Sequence, residues 1–221
     1  FKGKKITNNL HKYSAKFSAI MEKIKKSRGK VFVYSGFREY GGIKSFARVL
    51  EEFGYKNYLE DGEGTMRYAI WSGDENIAEK DEIRAVFNAK NNLSGRKLKI
   101  ILGSPATKEG ISFTAVQQVH ILEPYWNKSR LEQIIGRASR YCSHKDVPEE
   151  KRNVRVYIYM ATHENIETVD EYMYKLSEKK NTLINEFEMA IKEAAIDCQL
   201  NKNANIHDDE PNINCMTNTC K

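Results

Sequence analysis

What this chain lacks sets its first bounds. Among 221 residues there are four cysteines, Cys142, Cys198, Cys215 and Cys220, too few and too scattered for a disulfide framework in a chain this long. No apolar run approaches membrane-spanning length and no secretory signal is recognisable, so the expectation is an intracellular, reducing setting without membrane contact. The phosphate loop GxxxxGK[ST] occurs nowhere, which excludes the usual cradle for the β and γ phosphates of a nucleotide. Acid is scarce at the start: Lys2, Lys4, Lys5, Lys12, Lys16, Lys23, Lys25, Lys26, Arg28 and Lys30 face only Glu22. With a formal charge of +6, that imbalance favours an anionic partner, nucleic acid before membrane; a solvated lysine-rich helix face is the equally plain alternative.

What is present is ordinary globular composition, 40% hydrophobic and 30% charged, enough chain to bury a core without staples. Phe17, Ile20, Met21 and Ile24 repeat at helical spacing, predicting a helix from Ser14 that stops by Gly29. KVFVYS (30–35) reads as a buried strand, and GGIKSFARVLEEFG as an amphipathic helix with Gly54 as its C′ residue. MRYAIWSG, LKIILGS, QVHILEP and VRVYIYMAT are further strands. Helices are predicted between them over 77–88 and over 127–140. Strands alternating with helices imply an α/β fold, a parallel sheet covered on both faces. The expected organisation is an α/β domain over 1–164, a helical extension over 165–199 and a flexible polar tail over 200–221.

The polar clusters sit where an open α/β sheet usually works, after the ends of strands. GSPATKEGIS (103–112) follows one strand, and another leads into LEQIIGRASR. On the helix predicted over 127–140, Gln133, Arg137 and Arg140 are spaced four and three and share one face, while Ile134 and Ile135 turn to the sheet. Guanidinium groups fork onto phosphate oxygens and stabilise charge on a transferring phosphoryl group. The plainer alternative is ion pairing with Glu132, Glu149 or Glu150. Asp74 and Glu75 in GDENIAE lack a preceding buried strand aimed at Mg²⁺ and are read as helix N-terminal residues. Trp126 is read as anchoring its turn against the sheet rather than stacking on a base. Cys142 and His144 have no second ligand pair nearby. Cys198, His207, Cys215 and Cys220 match no standard zinc spacing, so no metal is expected.

The string SPATKEGISFTAVQQVHILEPYWNKSRLEQIIGRASR resembles, in motif order and spacing, the second RecA-like domain of superfamily 2 helicases and translocases. EPYWN and IIGRASR look more like the Swi/Snf-type branch than the DEAD-box branch. With KVFVYSGF and CSHKDVPEEKRNVRVYIY the likeness extends over about residues 10 to 165 and is similar to ATPases of large cytoplasmic DNA viruses, of the nucleoside triphosphate phosphohydrolase I and early transcription factor types.

The resemblance implies a RecA-like sheet and roles by position. Arg140 matches the arginine finger that reaches the γ-phosphate of ATP, Arg137 its companion, and Gln133 the residue coupling nucleotide to the interdomain cleft. Gly110 matches the motif glycine, and Ser112 stands where the family usually has Asp or Asn near the ribose. Ser104 matches a hydroxyl that touches a nucleic-acid phosphate, and Ser35 and Gly36 match contacts to the bound strand. Lys23 and Lys26 would add sequence-independent, salt-sensitive affinity.

ATP and Mg²⁺ would then be held mainly by a first RecA-like domain of the same chain. With Phe1 in place of methionine, the 221 residues are expected to be one domain of a longer ATPase, inactive alone. Partners would be DNA or RNA and, in a viral setting, transcription machinery, in host cytoplasm and virion. The rivals are a RecA-like binding module without catalysis and a double-strand translocase.

Overall fold

The computed structural model describes residues 5–108, 111–204 and 214–216. Its elements in chain order are α1 (Lys5–Tyr13), α2 (Ala15–Lys26), β1 (Lys30–Tyr34), α3 (Ile43–Glu52), β2 (Lys56–Asn57), α4 (Tyr58–Asp61), β3 (Arg67–Trp71), α5 (Ile77–Asn88), β4 (Ile100–Gly103), β5 (Val116–Ile121), α6 (Lys128–Gly136), β6 (Arg155–Ile158), α7 (Val169–Ala194) and α8 (Cys198–Asn201), with short 3₁₀ turns between. The six strands form one sheet in the order β2-β3-β4-β1-β5-β6, and every pairing is parallel. The expected α/β fold, a RecA-like parallel sheet flanked by helices with a C-terminal helical extension, is what the chain adopts.

Side chains alternate across a strand, so β1 feeds both faces. Val31 and Val33 pack with Ile20, Met21 and Ile24 of α2 and with Ile43, Phe46 and Leu50 of α3. Phe32 and Tyr34 face Ile83 and Phe87 of α5 and Leu131 and Ile134 of α6. The caps are local in origin. Ser14 accepts the Phe17 N–H at the start of α2, Asn76 and Glu79 form a capping box on α5, and Gly54, at φ +87°, lets the chain turn back after α3.

The central strands β1 and β4 are buried along their whole length, whereas β6 lies at the edge with Val156 and Ile158 partly exposed. Lys30, counted in sequence with the basic opening run, is buried: its Nζ donates to the Phe87 carbonyl at 2.6 Å, and burial lowers its pKa to about 7. Asp74 and Glu75 precede α5 rather than open it. Asp74 pairs with Arg38 and Lys44, and Glu75 accepts from the Ser72 backbone and hydroxyl.

The extension is a single helix, α7, capped by a Thr168–Glu171 box. Within the span read as a polar tail, residues 200–204 are helical. The Asn214 and Met216 backbone N–H groups bond to Glu193, and Cys215 is disulfide-bonded to Cys198. That bond stands against the reducing setting expected from the few, scattered cysteines: the segment at 214–216, held to Glu193 of α7, brings together two cysteines that lie 17 residues apart. Among the described residues no helix is long and apolar enough to cross a membrane, and no cluster of potential metal ligands occurs. His207 and Cys220 lie outside the described residues.

Candidate nucleotide and nucleic-acid site

The carboxyl edge of the sheet carries a buried polar row. Ser35, Ser72 and Ser104 follow β1, β3 and β4, and all three are buried, tied strand to strand by Ser35 N–H to the Gly103 carbonyl and Ser104 N–H to the Trp71 carbonyl. Glu123, just past β5, closes the row. Its carboxylate accepts the Ser35 hydroxyl at 3.0 and 3.1 Å and the Gly36 N–H. Burial, the leading cause, pushes the Glu123 carboxyl above the usual range despite those donors. Ser35 and Gly36 are thus grouped around a carboxylate of the protein. Glu123 itself was not singled out in the sequence; its place as the acid of EPYWN was the available signal.

The next turn leads into α6. Arg130 reaches back, donating to the Tyr125 hydroxyl at 3.0 Å and stacking over that ring at 4.6 Å, while its buried Nε has no partner. Trp126 does not anchor the turn in the core: it is 53% exposed, edge-on to Tyr125. Its ring lines a cleft of about 440 Å³ with Lys128, Arg130, Lys180 and Ile184. The sheet side of the turn is already filled by Tyr125, which packs against the core cluster.

At the far end of α6 the arginines converge. The helix stops at Gly136, four residues earlier than expected, and Arg137 is its C-cap. The chain leaves the helical path because Arg137 N–H and Ala138 N–H take 3₁₀-type bonds to Ile134 and Ile135, which tucks the buried Ala138 into the core. Arg140 therefore arrives through a turn, not along one helical face. Its Nη1 donates to the Ser112 hydroxyl at 2.7 Å, and Arg137 Nη1 donates to the Ile111 carbonyl at 3.4 Å. Neither forms an ion pair with Glu132, Glu149 or Glu150. Arg137 is pulled below the ordinary guanidinium range, first by burial and then by the charge of Arg140. Gln133 is exposed on α6, and Gly110 lies outside the described residues.

Phe113 holds this corner in place. It is fully buried among Phe32, Trp71 and Phe87, with ring centroids 5.1 to 6.0 Å away, and its N–H donates to the Arg137 carbonyl at 2.8 Å. Ala115 and Cys142, the two non-glycine residues with positive φ among the described residues, at 53° and 61°, flank the corner. Such strain persists only where surrounding packing over-determines it.

The corner lies by the beginning of β5, since His144 bonds to the Val116 carbonyl, while Glu123 lies just past its end. The six-residue strand β5 runs between the two groups. The residues expected at nucleotide and at nucleic acid therefore form two sites. Lys23 sits over the Tyr157 ring, and Lys26 is exposed and paired with Glu22 at 2.6 Å.

A six-stranded parallel sheet with two arginines just past the helix that follows its fifth strand fits a RecA-like domain of the helicase C-terminal class. Solved structures agree on the fold. The C-terminal part of the Fun30 ATPase domain aligns with TM-score 0.57 at 18% identity, covering 78% of this chain and 51% of that one. The C-terminal domain of the DEAD-box protein Dbp5 aligns with TM-score 0.50 at 14% identity, over 78% and 80%.

The model of the helicase conserved C-terminal domain matches residues 15–142, and the chain belongs to that family. Its relatives include a protein of Acanthamoeba polyphaga mimivirus named as an ATP-dependent RNA helicase, 55% identical over 93% of this chain and 36% of that protein. Another is a protein of African swine fever virus named as a homolog of the termination factor NPH-I, 30% identical over 85% of this chain and 33% of that protein. The chain thus spans about a third of the length of these viral relatives.

Proposed function

We propose that this chain is the C-terminal motor domain of a viral, transcription-related, nucleic-acid-stimulated ATPase of the helicase or translocase type. The observation that carries the reading is the corner where Arg137 and Arg140 converge on the Ile111–Ser112 segment. Arg140 is exposed and meets a neutral hydroxyl, and Arg137 is half-buried beside it. Two close like charges gain most from a shared anion, and a triphosphate fits this donor set.

Arg140 and Arg137 would hold the γ-phosphate end of ATP, with Ser112 near the ribose and Gln133 on the helix that faces the other domain. When bound, ATP supplies the phosphoryl group whose transfer to water drives the cycle. The phosphate loop and the Mg²⁺-binding acid would come from another domain, so these 221 residues alone should not turn over ATP. The arginines supply positive charge where negative charge grows. Phe113 fixes the segment that orients Arg140.

At the carboxyl edge, Ser35, Gly36 and Ser104 would contact nucleic-acid phosphates, and Lys23 and Lys26 would add screened attraction. The names of the viral relatives, one an RNA helicase and one a termination factor homolog, favour a role at RNA or at a transcription complex. The test is Arg140→Ala in the full-length protein. Nucleic-acid-stimulated ATPase activity should be lost while nucleic-acid affinity stays within a few fold; surviving turnover would leave the non-catalytic binding module as the better reading.

A further inference from the structure

The amino edge of the sheet, opposite Ser35 and Ser104, holds a basic cleft that the proposed grip does not use. Val31, Gln118 and Arg155 stand in register across β1, β5 and β6, and near the start of these strands opens a cleft of about 400 Å³ lined by Lys26, Arg28, Lys151 and Arg155. No Asp or Glu lines it. Glu22 holds Lys26, but Arg28, Lys151 and Arg155 are exposed and their side chains bond to no described residue. Ser94, Gln117 and Asn153 add neutral polar groups to the walls.

The three unneutralised cations come from separate segments: the turn before β1, the 3₁₀ turn Glu149–Lys151 and the first residue of β6. Gathering like charges in a cleft costs self-repulsion that an anion in the cleft would offset. Neighbouring strands lie about 4.8 Å apart, so from β1 to β6 the charges spread over roughly 10 Å. That is too wide for one carboxylate or one phosphate and suits a polyanion. Forked arginines from separate segments beside neutral hydrogen-bonding groups favour phosphates over an acidic peptide, while Leu93, Val147 and Pro148 supply the apolar part of the wall.

We infer that this amino-edge cleft binds a second stretch of nucleic-acid backbone, in addition to the one expected at the carboxyl edge. The inference rests on the reading of the chain as a nucleic-acid motor. One phosphate cannot reach both edges, since β1 alone spans five residues, about 16 Å. A second strand, or a later segment of the same one, must therefore occupy the cleft.

The experiment compares full-length wild type, Arg28→Ala with Arg155→Ala, and a charge-matched control, Lys90→Ala with Lys179→Ala, both lysines being exposed elsewhere. Binding of oligothymidine, of oligouridine and of polyglutamate is measured against salt concentration. Two lost phosphate contacts should lower the slope of log affinity against log salt by about 1.4 and weaken binding about tenfold at low salt, with the control changing by less than half as much. Both arginines are exposed and unbonded, so circular dichroism should show unchanged melting. If the arginine variant tracks the control, or loses only polyglutamate binding, the inference is overturned while wild-type binding leaves the motor reading standing. If wild type binds no nucleic acid, both readings fall.

Discussion

The carboxyl edge and the arginine corner sit at the two ends of β5 and solve opposite electrostatic problems. At the edge, hydroxyl and backbone donors of Ser35 and Gly36 are already satisfied by the Glu123 carboxylate. The site is neutralised internally and buried. At the corner, Arg140 rests on a neutral hydroxyl in the open, and its charge remains available. An anion arriving at the corner finds a cation waiting; an anion arriving at the edge must compete with a carboxylate. On the proposed reading, the same fold would keep a ready nucleotide contact at the corner and a nucleic-acid contact that competes with a carboxylate at the edge.

The largest expected effect tests the corner. Arg140→Ala in the full-length protein should lower stimulated ATPase turnover about 10³-fold or more, and Arg140→Lys should not rescue it, because a point charge does not replace a fork. Next comes Ser35→Ala at the edge, which leaves the half-buried Glu123 short of a donor and should cost about 1–3 kcal/mol of stability in urea denaturation. If that variant were as stable as wild type, the edge would not be the satisfied network described.

Glu123→Gln sharpens the contrast further. Removing the competing charge should raise nucleic-acid affinity several-fold in a filter-binding titration. Because the folded-state pKa of Glu123 is raised, its contribution to stability is full below the unfolded pKa of about 4.3 and is lost as pH rises through the folded value. The glutamine variant should therefore lose less stability than wild type between mildly acid and neutral pH. The smallest effect belongs to Ser112→Ala, which removes the hydroxyl bonded to exposed Arg140. Stability should stay within about 0.5 kcal/mol, with any change confined to the KM for ATP.

Much of the architecture was legible from local pattern. The predicted helix over 77–88 coincides with α5, since Asn76 and Glu79 cap it and helical spacing sets its face. The apolar strands were recoverable because β-branched runs between turn residues have few other uses. Shorter elements were not: β2 has two residues and α4 four, below any readable period. α1 was also missed, its apolar positions Ile6 and Leu10 being sparse among polar and basic residues. The end of α6 was read four residues too far, because burial of Ala138 and the bonds to Ile134 and Ile135 decided it.

Residue types alone determined that this chain would build a parallel α/β sheet and carry two arginines on the segment that follows the strand QVHILEP. Those outcomes rest on side-chain period, β-branching and capping, which act over a few residues. Only the tertiary structure decided that Arg140 meets Ser112, that Glu123 occupies the donors of Ser35 and Gly36, that Lys30 is buried, that Trp126 is exposed, and that Cys198 joins Cys215. Each depends on segments distant in sequence being brought within bonding distance. Burial and proximity, which set charge state and partner, are properties of the packed chain.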